Sequence, residues 1–157
     1  MQAEANSQVQ VRQLNESDLM QVDTILADQE LAQAAGLSLS AHPAARRWAI
    51  QNWLQQEVLW GIKVEDQLIG LIALFPLAQG CELGYLLQNP WWSQGIMTKA
   101  VGQVLANYQD QVIVAYTRED NLSSQAVLTA NSFQKVAQQA GIIKWSTCKM
   151  SVDVYNH

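Results

Sequence analysis

From Glu82 to Val101 the chain runs through Leu83-Gly84-Tyr85-Leu86-Leu87, a polar stretch ending at Gln94, and then Gly95-Ile96-Met97-Thr98-Lys99-Ala100. The pattern is a strand, a tight turn and a helix that opens on a glycine. Backbone N–H groups at a helix N-terminus lack partners within the helix and carry the positive end of its dipole. Such a turn is an anion site, and a phosphorylated ligand suits it. An ordinary helix start, in which Gly95 merely turns the chain, reads the same from this segment alone.

Other chemistries lack their residues. Cys81, Cys148, His42 and His157 stand at no close spacing, so neither a zinc site nor any other metal site is expected. Nor do they form a recognisable Cys/His nucleophilic pair. Two cysteines make no disulfide framework, and a reducing, cytoplasmic location is expected. The net charge of −5 argues against nucleic acid as a partner. No apolar run approaches the roughly 20 residues of a membrane span, and Met1–Gln10 carries no secretion signal.

Charge is uneven along the chain. Residues 1–80 hold nine acids and four bases, whereas residues 81–157 hold five of each. A solvated acidic surface accounts for this. The sharper reading is a first half that faces a cationic substrate and a second half that meets an anionic ligand.

The elements that must position the turn follow from periodicity. Hydrophobic residues make up 49% of the 157, enough for the core of a single domain covering 1–157. Val9–Leu14 alternates as a strand. Asn15 or Ser17 caps a helix bearing Leu19, Val22, Ile25 and Leu26 on one face. Ser38–Pro43 opens a second helix with a stripe of Ala45, Ala49, Trp53 and Leu54. Val58–Val64 and Leu68–Phe75 form a hairpin through Glu65-Asp66-Gln67. Pro76–Gly80 is loop and Cys81–Leu87 a strand. The third helix, Gly95–Tyr108, buries Met97, Ala100, Val101, Val104, Leu105 and Tyr108. Val112–Tyr116 is a strand. Asp120 or Asn121 caps a fourth helix to Asn131, and Phe133–Ala137 and Thr147–Tyr155 are the last strands, split by an irregular stretch around Gly141. The strand–helix–strand unit at 81–116 admits a parallel pair.

This order and two motifs resemble the GNAT superfamily of acyl-CoA-dependent N-acetyltransferases. Within it the chain is similar to the RimJ/RimL-like group, which acetylates N-termini of ribosomal proteins. The first motif is Trp92-Ser93-Gln94-Gly95-Ile96-Met97, set against a family pattern of Arg or Gln, two residues, Gly, one residue, then Gly or Ala. Gly95 matches, and Trp92 and Met97 depart. The second is Asn121-Leu122-Ser123-Ser124, closed by Ser132-Phe133, where the family has Asn-x-x-Ser and Gly-Phe. Asn121, Ser124 and Phe133 match. Many members carry a general-acid tyrosine later in that helix, and Leu128 stands in its place.

The resemblance implies an α/β (α+β) fold with a mixed, mostly antiparallel sheet flanked by about four helices. It implies acetyl-CoA as cofactor and direct attack by a primary amine in a ternary complex. The expected acceptor is the N-terminal amine of a protein; a small amine, or a non-catalytic acyl-CoA-binding module, is the alternative. Main-chain N–H groups of Gln94, Gly95, Ile96, Met97 and Thr98 would bind the diphosphate. Leu86 or Leu87 would bind the pantetheine arm and polarise the thioester, and Asn121 would contact the arm. Glu82, the one carboxylate in its strand, would take the amine proton directly or through water, and Ser124 would return a proton to the thiolate. Glu82 as an ordinary surface residue, and Ser124 as an ordinary helix-start serine, are the plain readings beside these. Arg118 and Lys135 stand near the expected nucleotide.

Overall fold

The computed structural model describes residues 8–147. The strand expected at Thr147–Tyr155 lies, past Thr147, outside them. The strands are β1 (Val9–Gln13), β2 (Leu59–Val64), β3 (Gln67–Pro76), β4 (Cys81–Leu87), β5 (Ile113–Arg118), β6 (Gln134–Gln139) and β7 (Ile142–Ser146). They form one sheet in the order β1-β2-β3-β4-β5-β7-β6. β1/β2, β2/β3, β5/β7 and β6/β7 are antiparallel. β4 and β5 are parallel, with Cys81, Glu82 and Leu83 opposite Ile113, Val114 and Ala115. The mixed, mostly antiparallel sheet is the one expected. The helices are α1 (Leu19–Leu26), α2 (Gln29–Ala34), α3 (Pro43–Gln55), α4 (Ile96–Leu105) and α5 (Leu122–Ala130). The described chain divides into two compact units, one running to Leu74 and including Gly84–Ile96, the other comprising Phe75–Leu83 and the chain from Met97 onward.

In the first unit, Asn15 accepts the Ser17 N–H, and the Asp18 carboxylate accepts the Asn15 N–H, a reciprocal cap before α1. Val22, Ile25 and Leu26 are buried as their spacing requires. α2 is an additional helix, only six residues long, begun by Asp28 accepting the Leu31 N–H at 3.1 Å. α3 buries Leu54 as expected and leaves Ala49 and Trp53 half-buried, but Arg46 and Ile50 complete its inward face and Ala45 is exposed. Arg46 can face inward because Asp23 of α1 lies 2.7 Å from its Nε. Asp23 also pairs with Arg47 at 3.1 Å, and buried Asp18 pairs with Lys63 and Arg12, each at 3.0 Å. All four bases of residues 1–80 therefore surround two aspartates.

In the second unit, α4 buries Met97, Ala100, Val101 and Val104. A short 3-10 turn, Ala106–Tyr108, ends it earlier than expected. Asn131, at the end of α5, donates from Nδ2 to the Thr98 carbonyl at 3.1 Å, so the two helices touch near Gly102. β6 and β7 meet through Ala140-Gly141, both with positive φ (53° and 81°). The stretch expected to be irregular is thus a tight hairpin of the mirror-turn kind. β6 begins at Gln134 rather than Phe133, and β7 ends at Ser146.

Candidate active site

The turn from β4 into α4 starts as a short 3-10 segment, Asn89–Trp91, with the Trp91 and Trp92 N–H groups donating to Gln88 and Asn89. Ser93 and Gly95 then both adopt left-handed backbone, φ 63° and 74°. Gly95 tolerates this without cost; Ser93 does not. A left-handed residue followed by a helical one turns successive N–H groups toward one concavity, a nest that attracts anions. At Gly95 the chain is open to its surroundings on the Cβ side: no heavy atom beyond the chain neighbours lies within 4 Å of where a Cβ would stand. The Ile96 and Met97 side chains are buried, so Met97 does not crowd the turn. Thr98 is half-buried and Gln94 donates from Nε2 to the Pro90 carbonyl at 3.3 Å.

On β4 the two candidate main-chain residues separate. Along a strand, N–H and C=O groups point alternately to opposite edges. The Gln88 N–H donates to Ile69 of β3, and the Leu86 carbonyl sits against Gly70, 2.7 Å from the place of a Cβ there. By that alternation the polar groups of Leu86 share the β3 side with those of Gln88, while those of Leu87 face away from it. The carbonyl of Leu87 accepts the indole N–H of Trp92 at 2.6 Å. In the sequence Trp92 departs from Arg or Gln, yet its indole, like those two, carries an N–H donor.

Glu82 is half-buried on the face of β4 opposite the buried Cys81 and Leu83. Its register partner is Val114, which is paired in turn with Ser146 of β7. Tyr116 and Lys144, opposite each other two residues along, share that face. Among the described residues the Glu82 carboxylate makes no hydrogen bond or ion pair. The neighbouring acids are occupied: Glu119 accepts from Gln138 at 3.0 Å, and Asp120 holds exposed Arg118 at 3.1 and 3.2 Å. That hydrogen-bonded pairing lowers the Asp120 pKa and raises that of Arg118. Lys135 lies 5.6 Å from the Trp145 ring centroid, a cation–π contact.

Asn121 caps α5, its Oδ1 accepting the Ser124 N–H at 3.1 Å. That role, with the Ser123 hydroxyl also donating to it at 3.2 Å, occupies the oxygen. Ser124 is half-buried in the first turn. Leu128 is completely buried, so a leucine fills core where the family's tyrosine would stand. Ser132, in the place of the family glycine, has φ 69°, and the Phe133 N–H closes the helix onto the Leu128 carbonyl. Among the described residues there is no cluster of His, Cys, Asp or Glu fit for a metal ion, and no helix is long and apolar enough to cross a membrane.

The structure superposes on a ribosomal-protein-S5-alanine acetyltransferase from Vibrio fischeri at TM-score 0.71, with 20% identity, covering 88% of this chain and 92% of that one. It matches the PaiA N-acetyltransferase of Thermoplasma acidophilum, solved with coenzyme A, at 0.69 and 15%, covering 88% and 97%. RimL, a ribosomal L7/L12 alpha-N-protein acetyltransferase also solved with coenzyme A, matches at 0.68 and 19%, covering 90% and 94%. These likenesses concern the fold. No curated protein matches the sequence. The sequence itself matches the acetyltransferase (GNAT) domain over residues 8–134, most of the chain, and the protein is therefore a member of the GNAT acetyltransferase family and an enzyme.

Proposed function

We propose that the protein transfers acetyl from acetyl-CoA to the N-terminal α-amine of a protein, by direct attack within a ternary complex. The observation that carries the cofactor half is the left-handed turn at Gly95, open on its Cβ side and leading straight into the N-terminus of α4, where a diphosphate would meet main-chain N–H groups. The acceptor half is supported by fold neighbours that are themselves ribosomal-protein acetyltransferases. The cytoplasm, where such substrates are made, is the matching compartment.

The thioester, when bound, supplies an activated carbonyl. The main-chain N–H groups of Gly95, Ile96, Met97 and Thr98, with Gln94 beside them, hold the diphosphate. The Leu87 N–H, on the edge of β4 facing away from β3, is the donor for the arm or the thioester oxygen. The Asn121 Nδ2 amide contacts the arm. An α-amine of pKa near 8 is already partly neutral at pH 7, so Glu82 need only accept one proton as nitrogen bonds the acetyl carbon. As the carbon–sulfur bond breaks, the Ser124 hydroxyl relays a proton from water to the thiolate, taking one as it gives one, so that no serine alkoxide is left.

The test is acetyl-CoA turnover against peptides with Ala, Ser or Met first, beside polyamines and aminoglycosides, read by thiol release and by mass. Acetylation of a peptide α-amine is the expected result. Thiol release with small amines and none with peptides would overturn the acceptor, and binding without thiol release for any amine would overturn catalysis.

A further inference from the structure

The loop between β4 and α4 is folded back on the end of its own strand by one side chain. Trp92 is 53% exposed, yet its Nε1 donates to the buried Leu87 carbonyl at 2.6 Å, while its main-chain N–H donates to Asn89 at 3.0 Å. The residue that follows, Ser93, is held in left-handed backbone that a serine does not choose. The Leu87 carbonyl lies on the edge of β4 that β3 does not use. Two things are thereby fixed together: the direction of the strand's outer edge, and the start of the left-handed turn that leads to Gly95.

We infer that Trp92 is a positioning residue for the acyl donor, its indole N–H locking the Leu87 peptide and the Gly95 turn into one rigid piece. The inference rests on the proposed acetyl-CoA site and adds to it a specific role for a residue whose type departs from the family pattern. The ring itself is not the essential part. A side-chain N–H able to reach the Leu87 carbonyl is, and arginine and glutamine both carry one.

The experiment compares wild type with Trp92→Phe, Trp92→Gln and Trp92→Arg in full steady-state kinetics, varying acetyl-CoA and acceptor separately. Trp92→Phe keeps an aromatic ring and removes the donor. It is expected to raise the KM for acetyl-CoA roughly three- to tenfold, the worth of one hydrogen bond, with acceptor KM unchanged. Trp92→Gln and Trp92→Arg are expected to return it to within about twofold of wild type. An unchanged acetyl-CoA KM in Trp92→Phe overturns the inference. So does failure of both donor-bearing variants to improve on Trp92→Phe, because a space-filling role would favour the phenylalanine. If wild type itself neither binds coenzyme A nor releases thiol, the underlying function fails and not this assignment alone.

Discussion

Arg46 Nε of α3 lies 2.7 Å from Asp23 Oδ1 of α1, with both side chains more than nine-tenths buried. Arg47 holds the second oxygen of the same carboxylate. The hydrogen bond from Arg46 lowers the Asp23 pKa; burial opposes it, and Arg47 adds to the lowering. Asp18 reaches the same state differently. Burial pushes its pKa up, but the Asn15 N–H, Lys63 and Arg12 together outweigh that and the net shift is downward.

These shifts fix a pH dependence. A carboxyl whose folded pKa lies below its unfolded value of about 3.9 contributes its full stability above that pH. The contribution falls away as pH drops through the folded values, where the folded state must at last take up the protons. Urea midpoints should be nearly flat from pH 7 to 5 and fall steeply below pH 4. Asp23→Ala, which leaves Arg46 buried and unpaired, should cost about 3 kcal/mol at pH 7 and flatten the acid limb. A midpoint equal to that of wild type would show that the pair is not what holds α1 to α3.

Ser132 occupies left-handed backbone at the end of α5, where glycine relieves the steric cost. Part of the gain is lost to the greater unfolded freedom of glycine. Ser132→Gly should therefore raise stability by about 0.5–1 kcal/mol. Ser93→Gly should gain a similar amount. A lower thermal midpoint in either variant contradicts the backbone assignment at that residue.

Glu82 and Ser124 are separable by kinetics. Glu82→Gln should lower kcat and abolish the acidic limb of the pH–rate profile if this carboxylate takes the amine proton; an unaltered profile reduces it to a strand residue. Ser124→Ala should lower kcat about tenfold or more with little change in coenzyme A affinity, since general acid catalysis is worth at least that much. An unchanged kcat removes its hydroxyl from the reaction.

Much of this was legible in the sequence because it is written in local pattern. The strand–turn–helix at 82–101 shows in the apolar spacing of Val101 and Val104 and in a glycine at the break. The cap at Asn121 and the hairpin at Glu65-Asp66 show in residue type. What was hidden depends on partners distant in sequence. Arg46 does not look like a core residue until Asp23 is beside it. Ala140-Gly141 lacks the asparagine that advertises a mirror turn, so the stretch around Gly141 reads as irregular although it turns β6 into β7. Strand parity is hidden in the same way: the Gln88 N–H goes to Ile69 of β3, and nothing in two consecutive leucines reveals which side of the strand each of them faces. The acidic excess of residues 1–80 was likewise ambiguous: the structure gathers its four bases around Asp18 and Asp23, leaving Glu16, Asp28, Glu30, Glu57, Glu65 and Asp66 exposed.

The central claim is that main-chain donors around Gly95 bind the diphosphate of acetyl-CoA, and titration calorimetry with coenzyme A on wild type and Gly95→Val tests it directly. The substitution places a branched side chain in the open space beside the turn and in backbone of φ 74°. Wild type should bind one coenzyme A per chain, and Gly95→Val, with its folded state verified by circular dichroism, should bind at least about tenfold more weakly, equivalent to about 1.4 kcal/mol. No heat of binding in wild type, or equal affinity in the two proteins, would contradict the account.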